Sequence, residues 1–236
     1  ELLGESYMQR LMDWFGIDPV TKKMVWTLNR GDYYYSEDWG GLEVFKEYIA
    51  GLEESGAIVG VCTYPLLVDG TTDTGKQYGA KYAIKNPIWD SEKKKYEGLF
   101  WTPLNPEGYV NSYASWNMCL DNEWYQDHFV SKIKRLATDL GVGIRVDEMG
   151  ISRAVCYSED HDHIYRQEPG DLTYFQGQGE LLRKIRKAMD EVDPSLPLLS
   201  ESPGNDYLAR SLTGSLAYYT YSYAQVKNIN PVVYSL

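Results

Sequence analysis

Two short segments carry the residues best suited to chemistry. One is Gly143-Ile144-Arg145-Val146-Asp147-Glu148-Met149-Gly150, the other Leu198-Leu199-Ser200-Glu201-Ser202-Pro203-Gly204. In each, an apolar run stops at an acid, the pattern of a buried strand that delivers a charge at its end. Arg145 precedes Asp147 by two residues, so on a strand the two share a face. A cation beside a carboxylate favours the ionised form, which suits a nucleophile or charge stabiliser. Glu201 has Ser and Pro beside it and no cation close in sequence, which suits a group that must hold a proton. Cleaving a glycosidic bond needs such an unlike pair: one acid attacks or stabilises the oxocarbenium-like centre and the other protonates the leaving group. Neighbouring strands lie about 4.8 Å apart, so acids at adjacent strand ends can meet the roughly 5–5.5 Å spacing of retaining glycosidases. The bland alternatives are a structural Arg–Asp pair at a strand end and a Glu201 that caps the following turn.

Around this pair stand weaker candidates for holding a substrate. Arg145 and Glu148 flank Asp147; Glu148 points to the opposite face if the strand continues and is free to bind a hydroxyl if it has ended. Trp116 and Asn117, placed at the end of an earlier strand, suit a flat sugar platform and a hydroxyl ligand, with core packing as the alternative. Tyr64 and Asp32 sit at other strand ends. His161-Asp162-His163 raises a metal site, but no third ligand is evident nearby, and a closed site wants more. Cys62, Cys119 and Cys156 are too few and too widely spaced for a disulfide framework or a metal knuckle, and each reads as a small core or near-site residue. No metal and no cofactor are therefore expected, and His161 is assigned to a sugar hydroxyl.

The elements that must position these residues alternate. Helical spacing over residues 5–16 (Met8, Leu11, Met12, Phe15) precedes an apolar strand at Met24–Leu28. An amphipathic helix follows, with Leu42, Phe45, Tyr48, Ile49 and Leu52 on one side, and then a strand from Ala57 to about Tyr64. Residues 69–110 interrupt the rhythm as a long inserted loop, rich in Gly, Lys, Asp and Tyr. Order returns with a strand ending near Trp116–Cys119. A helix capped by Asp121 comes next, with Trp124, His128, Ile133, Leu136 and Leu140 apolar and Gly141 as its stop. After the Asp147 strand come a second loop and a helix bearing Leu181, Leu182, Ile185, Ala188 and Met189. The Glu201 strand, a short turn or helix, and a further strand from Gly214 complete the order. The charges Arg183, Lys184, Arg186 and Lys187 read as a solvated helix face.

Strands alternating with helices imply a parallel sheet. No glycine-rich phosphate turn follows an early strand, which argues against a doubly wound dinucleotide fold. Acids and aromatics just past several strands match instead the site-bearing end of a (β/α)8 barrel. Five or six of eight strands are countable, and the opening helix has no strand before it. The expected organisation is thus a single α/β barrel domain over 1–236, incomplete in this chain and a fragment of a longer one. The opening ELLGESYMQR is not a signal peptide; without an initiator Met, leader removal or a longer parent chain is expected. No apolar run approaches the ~20 residues of a membrane span. The net charge of −11 disfavours nucleic acid as a partner, since phosphate binding needs a basic footprint. A neutral carbohydrate substrate fits that charge, and the 21 Tyr and 7 Trp fit sugar stacking as well as core packing.

Over about residues 111–220 the chain resembles the α-amylase superfamily of barrel glycoside hydrolases and related bacterial glycoside-hydrolase-like proteins. Gly143-Ile144-Arg145-Val146-Asp147 is similar to the strand-four signature that presents their nucleophile. Leu198-Leu199-Ser200-Glu201 is similar to the strand-five end that carries their acid/base. The resemblance implies a retaining glycosidase of polysaccharide degradation, with Asp147 and Glu201 catalytic and Arg145 beside them. It extends to no other residue. The Asn-His pair of amylase strand three does not occur here, and no third acid preceded by His follows before Leu236. α-Amylase activity as such is therefore not implied, and a carbohydrate-binding barrel without catalysis is the runner-up reading.

Overall fold

The computed structural model describes residues 30–35, 37, 40–70, 72–90, 92–101, 115–149, 155–200 and 206–215. Its centre is a four-stranded parallel sheet of β1 (Gly60–Thr63), β6 (Gly143–Val146), β7 (Leu198–Ser200) and β8 (Gly214–Ser215), in the spatial order β1-β6-β7-β8. The expected strands at Ala57–Tyr64, ahead of Asp147, ahead of Glu201 and from Gly214 are those four. The chain is therefore α/β with a parallel sheet. The expected strand at Met24–Leu28 and the helix at 5–16 lie outside the described residues.

Three helices flank the sheet: α1 (Gly41–Glu54), α2 (Glu123–Leu140) and α3 (Tyr174–Asp190), with a single turn α4 (Asp206–Ala209) after β7. α3 shows why such a sequence becomes a helix packed on one side. Tyr174, Gly177, Gln178, Leu181, Leu182, Ile185, Ala188 and Met189 are buried, a run of i, i+3, i+4 steps that forms one stripe. Its charges face outward in short-range pairs, Arg183 with Glu180 and Arg186 with Asp190. Leu182 is fully buried, and truncating such a side chain to Ala costs about 2–5 kcal/mol. α2 packs against α3, and Gln126 Nε2 donates to the carbonyls of Leu120 (2.7 Å) and Gly177 (3.2 Å), tying both helices to the chain just ahead of α2.

Two details of α2 depart from the sequence expectation. The N-cap is Asn122, whose Oδ1 accepts Tyr125 N at 2.9 Å. Asp121 is drawn away by distant partners: its carboxylate accepts Tyr165 N, Arg166 N and Thr173 Oγ1. The buried stripe is Tyr125, Phe129, Ile133, Leu136 and Ala137. Trp124 and His128 sit at its margin in a stack, 5.0 Å between rings, with Tyr82 on the other face of Trp124 at 4.2 Å. At the C-terminus Gly141 takes φ 66° and returns its N–H to Ala137 O, the left-handed cap that a side chain would resist. In α1, Ile49 is buried but Tyr48 is exposed, so Tyr48 does not join the expected apolar face.

The long insertion has structure of its own. β2 (Leu67–Asp69) leads into a π-helical turn, Gly75–Gly79, continued by Ala80–Tyr82. β3 (Lys85–Asp90) and β4 (Lys95–Trp101) then form an antiparallel hairpin. β5 (Ser115–Asn117) pairs antiparallel with β2. The strand expected at Trp116 thus belongs to this two-stranded unit and not to the parallel sheet. An apolar run of three or four residues states that a strand forms, not which sheet it joins. Gly79 is needed here, since a Cβ would lie 2.1 Å from Trp116 Cδ1.

Candidate functional site

The parallel pairing of β1 with β6 sets Cys62 beside Arg145 and Thr63 beside Val146. The ladder continues one residue past β6, where Asp147 N donates to Thr63 O at 2.7 Å, and Thr63 Oγ1 donates to Arg145 O at 3.0 Å. Asp147 is therefore fixed by its backbone at the C-terminal end of the sheet. Its carboxylate receives Arg145 Nη2 on Oδ1, and Arg145 Nη1 reaches Cys62 Sγ at 3.0 Å. The Arg145–Asp147 pair expected from their spacing is present.

Tyr64 lies next to this group, one residue past the end of β1. Burial, then the nearness of Cys62 and Asp147, pushes the Tyr64 phenol above the ordinary tyrosine range. Its backbone is held by Tyr33, whose Oη accepts Tyr64 N at 2.9 Å and donates to Tyr64 O at 3.3 Å. The Arg30 guanidinium lies 5.4 Å from the Tyr64 ring centre and is itself locked to Asp69 through Nε and Nη2. Asp147 thus has its backbone held by Thr63 and its carboxylate held by the Arg145 guanidinium. From sequence Cys62 reads only as a small core or near-site residue, with no role at the site assigned to it. The available signal was its position two residues before Tyr64 on a strand ending level with β6.

Glu148 is half-buried, with φ 59°. β6 has ended by then, so strand alternation does not govern its direction. A non-glycine residue in the left-handed region costs about 1–3 kcal/mol, and such residues gather at functional sites.

The other expected site residues are distributed differently. Glu201 lies outside the described residues; Ser200, the residue before it, pairs with Val146 across β6 and β7. Asp32 is 1% exposed and committed within the protein. It accepts Thr74 N and Thr74 Oγ1, with Lys132 of α2 at 3.4 Å, which leaves no face for a sugar hydroxyl. Trp116 packs on Gly79 at the rim of the core. Asn117 Oδ1 is buried, without a hydrogen-bond partner among the described residues. His161 is buried, with Nδ1 on the Lys81 carbonyl and Nε2 3.6 Å from Cys156 Sγ, so it too turns inward. Around it gather Cys119, Cys156 and His163: the partners that His161-Asp162-His163 lacks locally in sequence come from 42 residues before His161, just past β5, and from five residues before it.

No family model matches the sequence, and no curated protein matches it. Solved structures do share its fold. An α-amylase from Geobacillus thermoleovorans, complexed with acarbose, superposes with a TM-score of 0.51 at 14% identity, over 89% of this chain and 41% of that one. An α-galactosidase from Thermus thermophilus, in complex with stachyose, gives 0.50 at 13% identity, over 98% and 47%. An α-N-acetylgalactosaminidase from Bifidobacterium bifidum gives 0.51 at 14% identity, over 80% and 27%. The chain spans less than half the length of each of these structures. It shares the fold of these three structures over the parts matched.

Proposed function

We propose that this chain is the catalytic barrel portion of a retaining glycoside hydrolase, with Asp147 as nucleophile and Glu201 as general acid/base. The observation that carries the reading is the register of β6 and β7: Val146 pairs with Ser200, and in sequence Asp147 follows the one and Glu201 the other. Retaining enzymes set their two acids roughly 5–5.5 Å apart, a spacing that neighbouring strand ends about 4.8 Å apart can provide. Arg145 orients the Asp147 carboxylate. In the first step Asp147 forms an ester with the anomeric carbon as the bond from that carbon to the glycosidic oxygen breaks, and Glu201 gives its proton to that oxygen, which leaves as an alcohol. In the second, water attacks that carbon, Glu201 takes the water proton, and the Asp147 ester breaks. The fold shared with amylase, galactosidase and N-acetylgalactosaminidase structures supports a (β/α)8 barrel and a carbohydrate substrate. The net charge of −11 favours a neutral oligo- or polysaccharide.

The test is a panel of aryl glycosides and neutral polysaccharides, with the anomeric form of the first product read by NMR. Retention is expected, and Glu201→Gln lowers kcat by about 10²–10⁴ with unchanged circular dichroism; Asp147→Asn does the same or more. Inversion, or full turnover by either variant, would overturn the assignment. Glycan binding with no hydrolysis by the wild-type protein would instead establish a carbohydrate-binding barrel.

A further inference from the structure

Four donors from two distant stretches meet beneath the connection between β6 and α3. Cys119 lies just past β5; Cys156, His161 and His163 lie on that connection. One ligand atom from each falls within 4.8 Å of all the others, with both cysteines and His161 buried and His163 half-buried. A tetrahedral ion bonded to sulfur at about 2.3 Å and to nitrogen at about 2.0–2.1 Å sets its S···N edges at about 3.6 Å. Cys156 Sγ and His161 Nε2 are 3.6 Å apart.

The surroundings are those of a ligand set. His161 Nδ1 lies 2.8 Å from the Lys81 carbonyl. In the neutral ring Nδ1 must then carry the proton, and Nε2 presents its lone pair toward Cys156. A backbone carbonyl that fixes tautomer and ring orientation is the usual support of a metal-bound imidazole. His163 Nε2 is buried and has no hydrogen-bond partner among the described residues; coordination would satisfy it. A cavity of about 10 Å³, bordered by Cys119, Cys156 and His163 but not by His161, adjoins the cluster.

We propose that Cys119, Cys156, His161 and His163 bind a structural zinc ion. Two thiolates and two imidazoles are the soft-to-borderline donors that zinc takes and that calcium and magnesium refuse. Four protein ligands close the tetrahedron and leave no position for water, so the ion is structural and not hydrolytic. Binding displaces the two thiol protons, and the dication with two thiolates is neutral, which suits a buried position. The spacing, Cys-x36-Cys-x4-His-x-His, ties the β6–α3 connection to the end of β5. The same connection is already pinned by Tyr157 N to Lys85 O, Asn122 Nδ2 to Asp162 O and the three bonds to Asp121. Zinc would therefore set the path of the segment that leaves the sheet immediately after Asp147.

The experiment is elemental analysis of the full chain, produced in zinc-supplemented medium and purified without chelator. About one zinc per chain is expected. Cys119→Ser and Cys156→Ser lose it and Cys62→Ser keeps it; chelation lowers the wild-type Tm and zinc chloride restores it. Because the serine variants can fail to fold, cobalt(II) is also exchanged into the wild-type chain. Thiolate-to-cobalt charge transfer together with intense tetrahedral ligand-field bands supports the proposal. Folded wild-type protein with no zinc and no such spectrum, or with a Cys119–Cys156 disulfide by intact mass, overturns it.

Discussion

Arg145 Nη2 rests on Asp147 Oδ1 while Nη1 of the same guanidinium reaches Cys62 Sγ at 3.0 Å. One side chain therefore spans two neighbouring parallel strands and holds the acid at the end of one of them. The two side chains are 24% and 12% exposed, so the pair is neither a surface ornament nor fully sealed from water.

Arg145→Met removes the cation and strands the carboxylate. Breaking a fully buried pair costs about 3–5 kcal/mol. Solvent at the Arg145 end screens part of this, so about 1–3 kcal/mol is expected from the urea midpoint. Arg145→Lys keeps the charge but not the fork that reaches both partners, and falls between the two. With Asp147 as nucleophile, kcat/KM of Arg145→Met drops about 100–1000-fold. Wild-type stability and turnover together in that variant would show the pair to be idle.

Acid sensitivity comes from a second network. Thr74 Oγ1 donates to Asp32, so at 2.9 Å it must accept its other hydrogen bond from His128 Nε2–H. Burial works against ionised Asp32, but the Thr74 hydrogen bonds and Lys132 outweigh it and hold the carboxyl below its ordinary range. Its stabilisation is therefore complete above the unfolded pKa of about 3.9 and is lost as pH falls through the lower folded value. Burial, then Lys132, also push the His128 imidazole down, with Asp32 opposing. The contribution of neutral His128 is complete above about pH 6.5 and is lost as pH falls through its folded pKa. Urea midpoints should decline from pH 7.5 to 5, and less steeply in His128→Gln, which keeps an N–H for Thr74. Asp32→Asn should be less stable at pH 7 and flatter below pH 4. Equal slopes in wild type and variants would mean that other groups carry the acid response.

The three thiols differ in access. Cys62 is exposed, whereas Cys119 and Cys156 are buried. Iodoacetamide applied to the native chain should modify Cys62 first, with the other two protected until unfolding, as read by peptide mass mapping. Although the Cys62 side chain reaches solvent, desolvation of its sulfur by the surrounding groups, then Asp147, raises the thiol above its ordinary range despite Arg145, so labelling is slow at neutral pH and quickens toward alkaline pH. The adduct sits against Arg145 and should abolish glycan turnover or binding. Cys119 or Cys156 reacting as fast as Cys62 would contradict the burial described here.

Much of this architecture is legible in the sequence because it is written locally. The α3 stripe from Tyr174 to Met189 repeats at helical spacing, and Gly141 ends α2 where a left-handed cap is needed. Other features are not local. Asp121 is a good N-cap by type, but partners 44, 45 and 52 residues away take its carboxylate. Trp116 sits on an apolar run that reads as one more barrel strand, yet it pairs with Leu67–Asp69, because the run is too short to carry any information about its partner.

By itself, the sequence determined the α/β alternation, the strand ends at Asp147 and before Glu201, and the meeting of Arg145 with Asp147. Each depends on residues a few positions apart, where backbone geometry leaves little choice. Only the tertiary structure decided that Cys62 joins that pair, that Asp32 and His161 turn inward, and that Cys119 meets Cys156, His161 and His163. Those neighbours are set by strand order and loop closure across tens to about a hundred residues, and no short-range periodicity encodes them.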